Sequence, residues 1–129
     1  MTFNEIEIAV GDYLDAMDGT PIAWPNQDFT PNGTYIEFRH APNAREDDTI
    51  DGIGAIQTGI FLMTIVTKAG KFSTEANTLA QSIADRFTKA LRITAGSGKV
   101  LINAPSALGT PFQDGSYWRQ PVRVFYITE

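Results

Sequence analysis

The segment Ala55 to Lys68 contains a nearly continuous apolar run, which reads Gly59-Ile60-Phe61-Leu62-Met63-Thr64-Ile65-Val66. Successive side chains of a strand point to opposite faces of the sheet, so this run makes both faces apolar. A strand of this kind needs cover on both sides, which predicts a central position in a sheet. A helix supplies one cover, and a neighbouring subunit is a candidate for the other.

Two amphipathic helices are predicted, one on each side of this strand in the sequence. Residues 3–17 and residues 74–91 each place apolar side chains at steps of three and four. Thr2 and Glu5 have the spacing of a capping box, and Asp18-Gly19 is a typical signal for the end of a helix. Both ends of the first helix are therefore marked in the sequence.

The remaining predicted elements are strands, at Tyr35 to Arg39, Lys99 to Ile102 and Tyr117 to Thr128. Pro121 indicates that the first part of the last strand is unpaired or at an edge, since proline cannot donate to a ladder. The order of elements favours an α+β fold. We expect two main helices packed on a mixed, mostly antiparallel sheet in a single domain spanning residues 1–129.

Three connections between these elements are predicted to be loops. Thr94 to Gly98 is short, whereas Ala41 to Gly54 and Asn103 to Gly115 are long and polar. Loops of this length in a compact domain are commonly functional. The two long connections are therefore expected to be functional or mobile segments.

Between the first helix and the first strand lies a segment dense in aromatic residues and prolines. Pro25 and Pro31 restrict the backbone on either side of Phe29, so Trp24 and Phe29 are held on a stiff, non-helical ribbon. Gly33 follows as a turn residue. Two interpretations stay open: Trp24 and Phe29 seal the edge of the core, or they form part of a partner surface. Trp118 in the last strand is a further candidate structural residue.

The sequence holds few of the residues that catalysis or metal binding needs. It has no cysteine and one histidine, His40, so we expect no catalytic relay, no metal site and no cofactor. Asp47-x-Thr49-x-Asp51-Gly52 has the spacing of the start of a calcium loop but lacks the glutamate that would complete it. Gly96-Ser97-Gly98-Lys99 lacks the context of a phosphate-binding loop. The chain is predicted not to be an enzyme.

Charge is distributed unevenly along the chain. Residues 1–51 carry eleven acidic and two basic side chains, a balance of −9, whereas residues 52–129 carry four acidic and eight basic ones, a balance of +4. Unlike patches on successive copies could meet head to tail and close into a ring. The sequence contains no basic run with interleaved aromatic residues, so we expect no specific nucleic-acid binding. It also contains no recognisable signal peptide or membrane span. A reducing, cytosolic origin is expected from the absence of cysteine.

A set of residues spread over nearly the whole chain forms a recognisable pattern: Trp24-Pro25-Asn26, Phe29, Pro31, Gly33, Tyr35-Ile36, Gly59, Ala80, Ile83, Ala84, Phe87 and the ending from Asp114 to Tyr126. In the order of these residues the chain resembles the phage tail terminator family, which includes the lambda minor tail protein U and related short phage proteins. The resemblance implies a structural virion protein that forms a ring, of six copies when assembled, on the head-proximal end of the tail tube. Its implied partners are itself, the major tail tube protein and a head-completion or connector protein, and assembly would take place in the cytoplasm of the bacterial host.

Several alternatives to a terminator remain open at this point. Within the phage interpretation, the protein would be another head-tail connector or neck component. A ligand-binding module would use a pocket lined by Trp24, Phe29 and Trp118, and an enzyme would use carboxylates near His40. If the terminator interpretation holds, the connection after Ala41 is the candidate contact with the tube or the neighbouring copy, through Arg45, Glu46, Asp47, Asp48 and Asp51.

Overall fold

The computed structural model describes residues 2–17, 20–31, 33–46, 56–70 and 73–129, with the side chains of residues 43–46 excluded. Two helices and eight strands occur in these ranges, and both helices pack on one face of a curled, mixed sheet. The α+β prediction is confirmed at this level. The elements in chain order are α1 (Phe3–Asp15), β1 (Ile22–Ala23), β2 (Tyr35–Glu46), β3 (Ile56–Lys68), α2 (Thr74–Arg86), β4 (Arg92–Ala95), β5 (Gly98–Ile102), β6 (Ala107–Leu108), β7 (Phe112–Asp114) and β8 (Tyr117–Thr128).

The sheet has the order β1-β2-β3-β8-β5-β4, with β6 and β7 also paired to β8. Only β1 and β2 pair in parallel, and every other pairing described is antiparallel. The apolar strand β3 lies between β2 and β8, as its two apolar faces predict. The two long strands β2 and β8 therefore hold β3 along most of its length.

The inner face of the sheet, which the helices cover, holds the core. Alternate residues of β3, including Phe61, Met63 and Ile65, are fully buried on it. The helices contribute buried residues at the spacing that the sequence predicts, including Ile6 and Val10 from α1. Burial of these apolar side chains joins both helices to the sheet. Further members of the core are Leu14, Ile36, Phe38, Ala76, Ala80, Ile83, Phe87, Val100, Ile102, Val122, Val124 and Tyr126.

The start of α1 agrees with the sequence prediction in detail. The Thr2 hydroxyl accepts a hydrogen bond from the Glu5 N–H at 3.1 Å, and the Glu5 carboxylate accepts one from the Thr2 N–H at 3.2 Å. This reciprocal pair is a capping box, which satisfies two N–H groups that have no partner within the helix. The helix ends at Asp15, two residues earlier than predicted.

The second helix is shorter than its apolar pattern predicts. It ends at Arg86 rather than Leu91, because Phe87 leaves the helical conformation at φ −101° and ψ 64°. The Ala90 N–H then donates to the Ile102 carbonyl at 2.7 Å, a contact with β5 instead of with the preceding helical turn. Tertiary hydrogen bonding to the sheet thus overrides the helical spacing of residues 87–91.

All three predicted loops contain strand. The connection Thr94 to Gly98 is a tight hairpin, since Ala95 pairs with Gly98 and leaves a two-residue turn. In the connection Asn103 to Gly115, β6 and β7 pair with the edge of β8 that β3 leaves free. The prediction of a long polar loop from Ala41 to Gly54 is wrong in its first part, because β2 continues to Glu46 opposite β3. Its remainder, residues 47–54, lies outside the described residues.

Pro121 occupies a central strand, contrary to the prediction of an edge or unpaired position. It lies opposite Thr64 of β3, and its carbonyl accepts from the Gly109 N–H at 2.9 Å. In an antiparallel strand the N and C=O of one residue point to the same side. The nitrogen of Pro121 therefore faces the interruption between β6 and β7, where the ladder needs no donor.

Candidate assembly surfaces

A chain of polar contacts links α1, β2 and β8 through the buried side chain of His40. Its Nε2 lies 2.7 Å from the Tyr126 hydroxyl, and its Nδ1 lies 3.4 Å from Glu7 Oε1. The imidazole stacks on the Phe61 ring at 4.4 Å between centroids, and 4% of its side-chain surface is exposed. His40 thus lies in the middle of β2 and contacts residues of three other elements, whereas the strand predicted from the sequence ends just before it, at Arg39.

The surroundings of this chain determine which groups donate. Burial lowers the pKa of His40 and outweighs the opposing effect of the Glu7 carboxylate. An ionised carboxylate only accepts, so the Nδ1–H of a neutral imidazole faces Glu7 and Nε2 accepts from the Tyr126 hydroxyl. Burial raises the pKa of Tyr126 to about 12, which keeps this phenol protonated as the donor. The Glu7 carboxylate, the His40 imidazole and the Tyr126 hydroxyl are thus held in fixed positions relative to one another.

Gly59 of β3 leaves the space that Tyr126 occupies. A Cβ atom at Gly59 would lie 2.6 Å from the Tyr126 hydroxyl oxygen and 2.7 Å from its Cε1, closer than such atoms approach. A glycine inside an apolar strand typically marks close approach by another group. This glycine was the one sequence signal that could have located the His40–Tyr126 contact before the structure was known.

Trp24 lies beside α1 and lines a surface cavity of about 260 Å³. Its ring meets the Phe38 ring edge-on at 5.7 Å between centroids, and a Cβ at Gly11 would come within 2.9 Å of it. Trp24 is nevertheless 37% exposed, and Ile8 of α1, which lines the same cavity, is 62% exposed. The cavity lining is Glu7, Ile8, Gly11, Asp12, Trp24, Pro25 and Phe38.

We call one group on this side of the molecule the acidic patch: Glu7, Ile8, Asp12, Asp15 and Trp24. Asp12 and Asp15 are exposed, and both lie within two helical turns of Ile8. The last turn of α1 carries no basic residue. The patch therefore combines exposed apolar surface with three carboxylates.

A second cavity of about 490 Å³ lies beside β2, between Trp24 and His40. Glu37 and Arg39 also line it, so its wall is more polar than that of the first cavity. Neither cavity is lined by Phe29 or Trp118. The pocket of three aromatic side chains predicted for a ligand-binding module is therefore absent from both.

The outer face of the sheet, opposite the helices, carries a second mixed surface. Ile60 and Leu62 of β3 are half-buried there, and Phe125 of β8 lies opposite Ile60. Leu62 lies between Arg39 of β2 and Arg123 of β8 in one row across the three strands. We call these five residues the basic patch. The apolar centre of this patch lies on the second apolar face of β3, which the sequence predicts and which is only partly covered within the chain.

At its other end, the outer face is closed by local structure. The Phe29 ring lies 4.7 Å from that of Tyr35, beside the fully buried Val66. Arg119 of β8 donates to Glu37 at 3.0 Å and to Asp114 of β7 at 2.9 Å. This guanidinium ties β2 to β7 across the sheet.

The structure separates the residues that the sequence grouped as structural. Trp24 packs on the inner-face residue Phe38, whereas Phe29 packs on the outer-face residue Tyr35. Trp118 lies opposite Thr67 and packs against the core, and its buried Nε1 has no hydrogen-bond partner within the described chain. Pro25 and Pro31 lie on either side of Phe29 in the sequence, and the backbone of Gly33 has a φ of +95°.

The predicted contact residues lie at or beyond the end of β2. Arg45 and Glu46 form its last two positions, opposite Gln57 and Ile56 of β3, and their side chains are outside the description. Asp47, Asp48 and Asp51 lie outside the described residues altogether. Their role as a contact stays a prediction.

The described ranges contain neither a cluster of metal ligands nor a membrane-spanning helix. Side chains of histidine, aspartate and glutamate form no group of three or more that could hold a metal ion there. Neither α1 nor α2 has the length and apolar character to span a membrane, and no other helix occurs in the described chain.

Comparison with known proteins gives matches to a family and to folds. A solved structure of 24% sequence identity superimposes with a TM-score of 0.82, covering 100% of this chain and 96% of the other. A chain in the virion of a native gene transfer agent particle superimposes with a TM-score of 0.65 at 20% identity, covering 95% of this chain and 92% of the other. No curated protein sequence matches the chain.

A family model supplies the assignment that these fold similarities do not. The model described as phage tail terminator protein matches residues 5–126, nearly the whole chain. The match runs from Glu5 in α1 to Tyr126 in β8 and includes the His40–Tyr126 contact. It agrees with the resemblance seen in the sequence, and a structural role in the phage tail follows from it. The chain belongs to the phage tail terminator family.

Proposed function

We propose that this protein caps the head-proximal end of the tail tube as a ring, ends tube polymerisation and offers a surface for head joining. The observation that carries this proposal is the family match over residues 5–126. The mechanism is steric and interfacial. A ring that fits the last tube layer on one side must present a different surface on the other, so that no further tube subunit adds.

The structure supports assembly through protein contacts. Exposed apolar residues such as Ile8, Leu108 and Phe112 are 62%, 50% and 49% exposed. Leu108 and Phe112 lie on β6 and β7 beside β8, whereas Ile8 lies on α1, and large exposed apolar surfaces commonly mark interaction sites. The partners we propose are further copies of the chain, six in the assembled ring, together with the major tail tube protein and a head-completion or connector protein. The place of action is the virion tail, after assembly in the host cytoplasm.

The end of the β2–β3 hairpin is the proposed contact with the tube or with the neighbouring copy. Arg45 and Glu46 end β2, and Asp47, Asp48 and Asp51 follow them in the sequence. Charged side chains at this end of the hairpin would favour a specific, salt-sensitive contact. The proposal includes no catalytic residue and no cofactor.

The test is mass-resolved chromatography followed by negative-stain microscopy, with the chain alone and with isolated tails. Sixfold rings on one tail end support termination. If the chain stays monomeric and leaves the tails unbound, the proposal is wrong. A ring that binds heads before tails would instead favour the alternative role of a connector or neck protein.

A further inference from the structure

We infer that the acidic patch of one copy docks on the basic patch of the next copy, and that this contact closes the ring. The inference deepens the proposed function and depends on it, because it assigns the two surfaces that a ring-forming chain must bring together. The occupant of each patch is therefore a second copy of this chain. The argument uses the apolar content, the charge and the position of the two patches.

Both patches combine apolar and charged surface as subunit interfaces do. On α1, Ile8 and Trp24 are 62% and 37% exposed although both are large and apolar. On the outer face, Ile60, Leu62 and Phe125 are half-buried next to one another on paired strands. An interface with an apolar centre and a charged rim matches both surfaces.

The charges of the two patches are complementary. The acidic patch carries Glu7, Asp12 and Asp15, whereas Arg39 and Arg123 stand on either side of Leu62 in the basic patch. Arg123 is exposed and forms no ion pair with any residue that the structure describes. Arg39 has one carboxylate partner, Glu37 at 2.8 Å, and 68% of its side chain is exposed. Both guanidinium groups are thus available to further carboxylates.

The positions of the patches fit a ring rather than a symmetric pair. The acidic patch lies on α1, on the inner side of the sheet, whereas Ile60, Leu62, Phe125 and Arg123 of the basic patch lie on its outer face. Arg39 of the basic patch also lines the second cavity, together with Glu7 and Trp24. Two different patches form a heterologous contact, in which each copy uses one patch toward each neighbour. Repetition of such a contact closes into a ring when the rotation per copy permits. Like charges would oppose the alternative pairings of a patch with itself.

The experiment exchanges one charge on each patch and then mixes the two variants. Asp12→Arg places like charges at the contact, because the introduced guanidinium of one copy meets Arg123 of the next. Arg123→Glu does the same with carboxylates, because the introduced carboxylate meets Asp12. Each variant alone should form rings on isolated tails at a level reduced roughly tenfold or more relative to the unmodified chain.

An equimolar mixture of the two variants should restore assembly. In an alternating ring, every introduced arginine meets an introduced glutamate, and every remaining Asp12 meets a remaining Arg123. Six positions permit this alternation without a mismatch. Recovery by mixing is specific to a contact between two unlike patches, since a change in folding of either variant would persist in the mixture.

Matched controls use exposed charges away from both patches. Asp85→Arg on α2 and Lys89→Glu just after it make charge changes of the same sign and size. Both controls should assemble as the unmodified chain does. Circular dichroism and thermal unfolding of all four variants establish that each one folds.

Three results would overturn the inference. Either patch variant could assemble at the unmodified level, or the mixture could fail to recover. Alternatively, Asp12→Arg could form normal rings that no longer bind tails, which would assign the acidic patch to the tube. A failure of the proposed function is distinguishable from all three, because then the unmodified chain itself forms no ring on tails, and the inference falls with it.

Discussion

The Tyr126 hydroxyl lies 2.7 Å from His40 Nε2, in a core where the imidazole also stacks on Phe61. This contact joins β8 to β2 across the intervening strand β3, at the point where Gly59 provides the space. Glu7 extends the chain of polar groups to α1. A chain of polar contacts therefore connects α1 with β2 and β8, on either side of β3.

Tyr126→Phe should destabilise the fold by about 1–3 kcal/mol, because it leaves the buried His40 Nε2 without a partner. Urea unfolding followed by circular dichroism measures the change. Tyr117→Phe is the matched control, since Tyr117 is half-buried and its hydroxyl has no hydrogen-bond partner among the described residues. An equal loss in both variants would contradict the role given to the His40 contact.

Gly59→Ala should cost about 1–3 kcal/mol, since the added methyl overlaps the buried Tyr126 ring. The same urea titration measures it. In the double variant with Tyr126→Val the ring is gone, so the combined loss should be smaller than the sum of the single losses by about 0.5–3 kcal/mol. Simple additivity would show that the ring is not what excludes a side chain at position 59.

Stability should fall as pH decreases below the pKa of an unfolded histidine, about 6.5. Burial lowers the pKa of His40, so the unfolded chain binds a proton at a higher pH than the folded chain does. The folded state is therefore favoured above the unfolded pKa, and this advantage is lost as pH falls toward the folded pKa. Urea titrations at roughly evenly spaced pH values between about pH 7.5 and about pH 5 give the free energy of unfolding at each pH. The slope of this free energy against pH is the quantity to compare.

Two variants separate His40 from the other groups that titrate in this range. His40→Gln should flatten the slope, because the titrating imidazole is gone. Glu7→Gln should steepen it, because the carboxylate that opposes the downward shift of the His40 pKa is removed. An unchanged slope in His40→Gln would assign the pH dependence to other groups.

Arg119→Lys should destabilise the fold by about 1–2 kcal/mol, because a lysine ammonium cannot bond Glu37 and Asp114 in the geometry of the guanidinium fork. Thermal and urea unfolding measure the change. Arg123→Lys is the control on the same strand, and we expect less than about 0.5 kcal/mol there. If the Arg119 loss persists undiminished in high salt, packing rather than the ion pairs accounts for it.

Ring formation should weaken at high ionic strength, since salt screens exposed charges at the contact between copies. The fraction of capped tails at low and high salt, counted by negative-stain microscopy, measures this effect. The mixture of Asp12→Arg and Arg123→Glu should show the same salt dependence as the unmodified chain. A ring population that does not change with salt would count against the charge complementarity of the two patches.

Sequence patterns predicted those features that depend on neighbours along the chain. The Thr2–Glu5 capping box, the helical stripe of α1 and the central position of β3 follow from local spacing and from two-faced apolarity. Family resemblance was also readable, because the order of its residues spans the chain. Prediction was poorer for short strands and for a strand extension, which strand pairing determines rather than an apolar pattern, as in β4, β6, β7 and the extension of β2.

The candidate surfaces depended on contacts between residues far apart in the sequence. The sequence by itself determined the α+β class, the absence of thiol chemistry and the unequal charge of the two halves. Only the tertiary structure decided that Ile8 and Trp24 stand together, that Arg39 and Arg123 flank Leu62, and that His40 meets Tyr126. Local propensity sets the period of each element, whereas strand register and helix packing determine which side chains share a face.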